Sequence, residues 1–364
     1  MKVKIYGAGS IGNHLAHASR KLGWEVDVCD TSPAALERMK AQIYPQRYGQ
    51  WDRSINLFLN QEAPRGIYDL ILIGTPPEYH LSLALDALQE NPKAIQIEKP
   101  VCPPNLCQAQ EFYTLSKEKG VLVFVGYDHV VGAATNQVKT LIQERSLGSL
   151  QTLDVEFREH WGGIFAAHPW LSGPRDSYLA YWERGGGASG EHSHALNLWQ
   201  HFAHLLGSGR VTEVTATLDY VKDDVVDYDR LCAVNLKTEN GLIGRVVQDV
   251  VTKPSRKWSR IQFEQGYLEW HCSIRPGFDV VIYGSDNQEP EEFTVEKTRP
   301  DDFIFELKHI QCLLDGGTAQ SEISLERGLD TMLVVSAAHL SAQQKRSVGI
   351  NYGNGYSPKA LQFL

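Results

Sequence analysis

One short run, Gly7-Ala8-Gly9-Ser10-Ile11-Gly12, restricts what this chain can fold into more than any other feature. It follows an apolar-alternating strand pattern, Val3–Tyr6, and leads into Ile11, Leu15, Ala18 and Leu22, apolar residues at helical spacing closed by Gly23. A strand that turns through glycines into a helix is the first half of a βαβ unit. Its loop lets backbone amides approach a pyrophosphate at the positive end of the helix. The second strand, Val26–Cys29, runs into Asp30, eighteen residues beyond Gly12, where a carboxylate can accept hydrogen bonds from an adenosine ribose. The same carboxylate repels a ribose phosphate. Thr31 and Ser32 follow it in place of an arginine, so NAD is expected in preference to NADP.

The alternation of short apolar strands with helical patterns continues through Leu70–Ile73, Ile95–Ile97 and Val121–Val125, which predicts a doubly wound parallel sheet over residues 1–125. Lys2 and Lys4 make the first strand less apolar than a central buried strand should be. After Gly126 the texture changes. Leu153–Phe157, Val211–Leu218, Leu231–Leu236, Ile243–Val247, Ile261–Phe263 and Val280–Tyr283 read as strands of a largely antiparallel sheet, and Asn240-Gly241 reads as a hairpin whose two turn positions want positive φ. Helices are expected near 134–145, 191–206, 303–314 and 324–344. The fold class is thus α/β followed by α+β, with a second domain over 126–364 that ends in helices within 303–344. At 364 residues the chain exceeds what one core usually organises, which agrees with two domains.

With 42% hydrophobic and 22% charged residues the composition is that of an ordinary globular protein. Thirty-five Lys and Arg against forty-four Asp and Glu leave a net charge of −9, the wrong sign for neutralising nucleic-acid phosphates. The first residues run directly into the glycine turn with no apolar signal core, and no stretch approaches the roughly 18 apolar residues of a membrane span, so a cytoplasmic protein is expected. Cys29, Cys102, Cys107, Cys232, Cys272 and Cys312 lack paired metal spacing and are expected to be buried, reduced thiols.

In open parallel sheets, ligands bind beyond the carboxyl ends of the strands, which puts Gly74-Thr75-Pro76-Pro77-Glu78-Tyr79-His80 and Glu98-Lys99-Pro100 at the cofactor. A lysine there can donate to a substrate hydroxyl and stabilise the alkoxide that forms as hydride leaves. The second constellation is Gly185-Gly186-Gly187-Ala188-Ser189-Gly190-Glu191-His192-Ser193-His194-Ala195-Leu196-Asn197, glycines that let backbone pass close to a ligand, feeding a helix dense in ionisable groups. An imidazole in it can take the proton of an alcohol while a neighbouring acid or amide orients the ring. His194, Asn197, His201 and His204 also recur at helical spacing, but no carboxylate or thiol is placed opposite them, and no metal is expected. Trp161, Trp170, Tyr181 and Trp182 either stack on a sugar ring or fill the core.

At these residues the chain resembles the glucose-fructose oxidoreductase, inositol dehydrogenase and MocA (Gfo/Idh/MocA) family. GAGSIG, the TPPEYH segment at 75–80, EKP at 98–100, GYDH at 126–129 and GGGASGEHSHALN at 185–197 carry the likeness, which continues into ELKHIQCLLDGG and SLERGLDTMLVVSAAHLSA. The resemblance implies a Rossmann domain followed by an open, mostly antiparallel sheet whose exposed face makes homodimers or homotetramers. It implies NAD(P)-dependent oxidation of a CH–OH group in a sugar or sugar derivative. Lys99 matches the family's catalytic lysine, His194 its catalytic histidine and Asn197 the aspartate three residues beyond. Thr75, Pro76, His80, Glu98 and Tyr127 match positions along the cofactor, and Lys99–Pro100 is expected to be cis.

Two departures stand out. The family places an aspartate four residues before the histidine, where this chain has Gly190, so Glu191 is expected to substitute for it. The second is Asn197, which can orient an imidazole by hydrogen bond but cannot stabilise its cation as a carboxylate would. Asp128-His129 also stands where relatives often carry Asn and Arg, and the shortened Glu-x-Ser-His form, Glu191 to His194, resembles a branch associated with acidic-sugar or nucleotide-sugar metabolism. The alternatives to a dehydrogenase are an NAD-dependent, redox-assisted glycoside hydrolase and a non-catalytic cofactor sensor.

Overall fold

Strand β1 (Lys2–Tyr6) lies between β2 (Glu25–Asp30), which carries β3 (Ile55–Leu59) at its outer side, and β4 (Leu70–Ile73), which is followed by β5 (Ala94–Ile97) and β6 (Leu122–Val125). All five pairings are parallel. In this computed structural model, which describes all residues except 167, 169, 287 and 317–319, the strand order therefore reverses between β2 and β4. That reversal opens the crevice in which such sheets bind ligands. The predicted strands lie within one residue of the observed ones. The edge strand β3 escaped prediction because only Ile55 in it is buried.

The helices of this half are α1 (Ser10–Lys21), α2 (Pro33–Arg38), α3 (Tyr44–Tyr48), α4 (His80–Leu88) and α5 (Ala109–Lys119). Gly7 turns out of β1 at φ +103°, and a Cβ on Gly12 would stand 1.8 Å from the Gly7 carbonyl oxygen, so the last glycine of the motif is demanded by helix-to-loop contact. Lys4, an anomaly in a central strand, is resolved by its partner. Its ammonium lies 2.7 Å from Glu90 Oε1 with both side chains almost wholly buried, and it also sits over the Tyr68 ring at 4.7 Å.

The second sheet contains β7 (Leu150–Arg158), β8 (Val211–Lys222), β9 (Asp227–Thr238), β10 (Ile243–Asp249), β11 (Arg256–Phe263), β12 (Gly266–Arg275), β13 (Phe278–Ser285), β14 (Glu291–Glu296), β15 (Val348–Ile350) and β16 (Leu361–Phe363). Their order is 14-13-12-11-7-10-9-8-15-16, antiparallel except where β7 meets β10. The missed strands are β12, whose buried Leu268, Trp270 and Cys272 alternate with Glu269 and His271 as in a half-buried strand, the acid-rich β14 and the three-residue β15 and β16. The hairpin at Asn240-Gly241 is present, but only Gly241 takes positive φ, at +86°. Its amide bonds the Thr238 carbonyl at 3.0 Å, so the loop is a turn closed by a left-handed glycine rather than one with two positive-φ positions.

Helices α6 (Ala133–Glu144), α7 (Trp161–Ala166), α8 (Gly187–Glu191), α9 (His194–Leu205), α10 (Arg299–Leu314) and α11 (Leu325–Gln344) complete the chain. On the inner face of β7, Leu153, Val155 and Phe157 are buried, and Trp199 of α9 donates to the Leu153 carbonyl at 2.8 Å. The carboxy-terminal helices return to the parallel sheet. Phe303 of α10 stacks on His14 of α1 at 4.8 Å, and the Val125 amide bonds the Ile323 carbonyl just ahead of α11. Among the described residues no helix is long and apolar enough to cross a membrane. All six cysteines are free, but Cys107 and Cys312 are exposed rather than buried as expected, since each sits at the surface of its segment.

The Lys4–Glu90 pair yields a stability test. Lys4→Met alone strands a buried carboxylate and should lower the unfolding free energy by about 3–5 kcal/mol, read from urea denaturation. The double variant Lys4→Met/Glu90→Leu, which removes both charges, should recover most of that loss.

Candidate active site

Lys99 leaves the end of β5 through a cis Lys99–Pro100 bond and crosses to the second sheet. Its ammonium donates to the Glu191 carbonyl at 2.9 Å and to Glu191 Oε2 at 3.1 Å. Next to it, Glu98 is packed against Gly126, where a Cβ would stand 2.8 Å from the carboxylate. Burial and the neighbouring Asp128 push its pKa up to about 8, so this carboxyl is mostly protonated at neutral pH. His80 does not face the cofactor crevice, contrary to expectation. It is fully buried, and both ring nitrogens are taken by backbone carbonyls, Nδ1 by Pro100 at 2.9 Å and Nε2 by Thr75 at 2.7 Å. It is a strut between the two cofactor-side loops.

The Glu191 side of that bridge is held by a buried network. Gly187, at φ +75°, brings the backbone so close to Asp229 that a Cβ would meet its Oδ1 at 2.0 Å. Asp229 accepts from the Ser189 amide at 2.7 Å and from its hydroxyl at 3.0 Å. Ser189 Oγ also meets His339 Nε2 at 2.9 Å, and His339 Nδ1 meets the Tyr220 hydroxyl at 2.7 Å. From the sheet, Gln248 donates to the His192 carbonyl at 2.5 Å. Gly190 is fixed by sterics as well, because a Cβ there would lie 2.1 Å from the Gly185 carbonyl oxygen. An aspartate at 190 would require the backbone to move. Glu191 carries the acid instead and directs it to Lys99 rather than to the histidine.

His194 is the first residue of α9, where the helix dipole disfavours an imidazolium. Burial holds its pKa well below the usual value, and Asp128 works against that depression. His194 Nδ1 lies 3.6 Å from Asp128 Oδ1, and neither atom has a hydrogen-bond partner among the described residues. Burial opposes ionisation of Asp128, yet His129, His194 and Arg299 nearby hold its carboxyl below the ordinary carboxylate range. Tyr127 meets the His194 ring edge-on at 5.5 Å, and Phe157 stacks beside it at 6.3 Å. Asn197 corrects another expectation. Its Nδ2 donates to Thr331 Oγ1 of α11 at 3.1 Å, away from the imidazole nitrogen beside Asp128. One helical turn carries it onto the face packed against α11, and Asp128, not Asn197, stands at His194 Nδ1. Asp128, His129 and His194 place three possible ligand atoms within 4.8 Å of one another, a set distinct from the helical His194, Asn197, His201 and His204 series.

On the nucleotide side, the cap residue of α1 is Gly9, with no side-chain cap and no acid in the first turn, and no heavy atom lies within 4 Å of a Cβ placed on it. The loop through Gly7, Gly9, Ser10, Ile11 and Gly12 is therefore an open cradle of the kind that fits a pyrophosphate. Asp30 sits at its mouth and accepts from the Ala8 amide at 2.8 Å and the Ser32 amide at 2.8 Å. Thr31 and Pro76 are exposed, and Thr75 Oγ1 is buried with no partner among the described residues. Arg47, which no sequence pattern singled out, reaches from α3 to the Ser10 carbonyl at 2.9 Å and hydroxyl at 2.8 Å. The aromatic residues divide. Trp182 stacks on His339 at 4.4 Å, Trp161 meets Tyr228 edge-on, and Trp170 lies under Arg38 of α2 at 5.8 Å.

Because Asp128 raises the His194 pKa, its removal has a defined sign. Asp128→Asn should move the acid limb of the kcat/KM profile to lower pH. The less basic imidazole should lower the plateau by about 10- to 100-fold, with dinucleotide affinity unchanged. A pH–rate profile of the purified variant checks both effects.

The family model described as oxidoreductase family, NAD-binding Rossmann fold (GFO_IDH_MocA) matches residues 1–127, and the GFO/IDH/MocA C-terminal domain model matches residues 135–269. No curated protein matches the chain. Among solved structures, levoglucosan dehydrogenase in complex with NADH superposes with a TM-score of 0.76 at 18% identity, covering 96% of this chain and 98% of that chain. An NAD binding oxidoreductase from Klebsiella pneumoniae gives 0.74 at 18% identity, with coverage of 96% and 98%. The WlbA dehydrogenase from Bordetella pertussis in complex with NADH and UDP-GlcNAcA gives 0.69 at 20% identity, again with 96% and 98% covered. At such identities these likenesses speak to the fold, a parallel sheet followed by a largely antiparallel one. With the family's own models matching residues 1–127 and 135–269, well over half of its length, the chain belongs to the Gfo/Idh/MocA family of oxidoreductases.

Proposed function

We propose that this protein is an NAD-dependent dehydrogenase acting on a hydroxyl-bearing carbon of a sugar or sugar derivative. The observation that carries the reading is the bridge from Lys99, at the end of a parallel-sheet strand, to Glu191, three residues before His194 at the start of α9. It brings an ammonium and an imidazole from different halves of the chain to one cleft. Solved relatives in complex with NADH, the levoglucosan dehydrogenase and WlbA among them, support the dinucleotide. The open glycine cradle, Asp30 and Thr75 are the residues that would hold it, and Asp30 favours a free ribose hydroxyl over a phosphate. When bound, the dinucleotide supplies the hydride acceptor.

The chain's own residues supply the proton chemistry. Lys99 donates to the reacting oxygen and lowers the cost of alkoxide character. His194, kept neutral by its surroundings, is free to accept the proton, and the carboxylate of Asp128 at Nδ1 stabilises the imidazolium that results. Glu191 holds the Lys99 side chain in place. Glu98 and Tyr127 are buried beside this pair, Tyr127 edge-on to the His194 ring.

The experiment is a fluorescence screen for NADH formation across polyols, aldoses, uronic acids and nucleotide sugars. With the substrate so found, Lys99→Ala and His194→Ala should each lower kcat by about 100-fold or more. NAD affinity, read by fluorescence titration, should stay within about threefold, because both groups act on the transition state. Near-native turnover by either variant removes that residue from the mechanism.

A further inference from the structure

Asp128 and His129 stand side by side in a single 3-10 turn, Asp128–Val131, just beyond the end of β6, and His194 opens α9. Turn and helix bring one carboxylate oxygen and two imidazole nitrogens within 4.8 Å of one another. Of the helical series His194, Asn197, His201 and His204, only His194 takes part. His129 is 8% exposed and held edge-on by Phe157 at 5.2 Å and Trp270 at 5.6 Å, and its carbonyl accepts from Thr135 Oγ1 at 2.6 Å, which fixes the turn.

The gap between His194 Nδ1 and Asp128 Oδ1 supplies the second observation. At 3.6 Å it is too long for a hydrogen bond, and both atoms are buried without a hydrogen-bond partner among the described residues. Asp128 is 7% exposed, so an unpaired carboxylate oxygen there is costly. Two ligand atoms about 2.0–2.2 Å from a tetrahedral ion stand roughly 3.3–3.6 Å apart, which is the width of this gap.

Cations surround the group. Lys297 and Arg299 act on Asp128, Lys297 and Lys257 on His129, and Lys99 and Lys257 on His194. The lysines are already matched by carboxylates: Lys297 by Asp279 at 2.9 Å and Asp302 at 3.1 Å, Lys257 by Glu159 at 3.1 Å, and Lys99 by Glu191 at 3.1 Å. The Arg299 side chain is 61% exposed, where solvent and salt screen its charge. Glu98 and Glu306 are further buried carboxyl groups within electrostatic reach of Asp128. The positive end of α9 opposes a cation at His194, so affinity there depends on the Asp128 carboxylate.

We propose that Asp128, His129 and His194 form a binding site for a divalent transition-metal ion of the zinc type, and that the bound ion halts proton transfer at His194. A carboxylate and two neutral imidazoles are a donor set that such ions take, and a solvent oxygen completes the tetrahedron. A metal on Nδ1 leaves the proton of the neutral ring on Nε2, so that nitrogen can no longer accept one. The binding half of the proposal is independent of the dehydrogenase reading, and the inhibition half rests on it.

The test titrates Co2+, whose visible absorption reports a low-coordinate site, into metal-free wild type, His129→Phe and Asp128→Asn, with Zn2+ as competitor. Wild type should develop the absorption at one equivalent and lose it to Zn2+. His129→Phe, which keeps an aromatic ring against Phe157 and Trp270, and Asp128→Asn should each weaken the affinity more than about 100-fold. Near-ultraviolet circular dichroism checks that both variants fold. Should either misfold, the X-ray absorption spectrum of zinc-loaded wild type decides: two imidazoles with oxygen ligands support the site, and any other ligand set overturns it. With a substrate from the NADH screen, one equivalent of Zn2+ should cut wild-type turnover about tenfold or more, EDTA should restore it, and the turnover that His129→Phe retains should not respond to Zn2+. Absence of the cobalt absorption, or equal affinity in wild type and both variants, overturns the site. Full turnover by zinc-loaded wild type overturns the effect on His194. If no compound yields NADH the dehydrogenase reading fails by itself, and the cobalt titration still decides the site.

Discussion

The contact on which the rest depends joins the Lys99 ammonium to the carbonyl and carboxylate of Glu191. Each half of the chain could bury its own core without it. This bridge, with the Glu78–Arg184 ion pair and the packing of α10 and α11 back onto the parallel sheet, ties together a strand-end lysine and a helix-start histidine that lie 95 residues apart in sequence. Both side chains remain partly exposed, at 13% and 20%, so the pair sits in the cleft wall where a ligand can share its charges.

Around that bridge the protein keeps an unusual number of carboxyl groups out of water. Glu306 of α10 is fully buried, and burial together with Glu98, Asp128 and Asp302 raises its pKa well above the ordinary value, with Gln96 acting the other way. Asp302 is likewise raised, to about 6. Neutral carboxyls cost less to bury than carboxylates, whereas Glu191, beside Lys99, and Asp128 have surroundings that favour charge. The cationic side chains Lys297 and Arg299 stand close enough to lower the pKa of Asp128 further. Ionisation is thus favoured on the acids that stand beside the two reacting groups, Asp128 near His194 and Glu191 at Lys99.

How much was legible beforehand depended on whether a residue's role is local. The glycine motif, five of the six strands of the parallel sheet and the helices near 134–145 and 303–344 follow from period and turn chemistry, which are properties of neighbouring residues, while Lys99 and His194 are paired by the resemblance of their motifs. Asp128 was visible only as an oddity, since nothing in GYDH says that its carboxylate will face His194. Asn197 and His80 were assigned by position within motifs, and both turned elsewhere because packing against α11 and between two loops decided their rotamers. Glu159, Lys257 and Arg47 had no signal, being single charged residues at strand or helix ends that read as surface.

The amino-acid order by itself determined the strand–glycine–helix entry, the parallel-then-antiparallel succession and the membership of the family. Those depend on steric rules and hydrophobic periodicities that act over a few residues. Tertiary structure alone decided which acid meets which base. Whether Glu191 serves the histidine or the lysine, and whether an ion pair is buried or lines a cleft, is set by where two sheets and the returning helices place backbones that are distant in the chain. A side chain's charge state and partner follow from that shared, partly dehydrated space, and no local pattern encodes it.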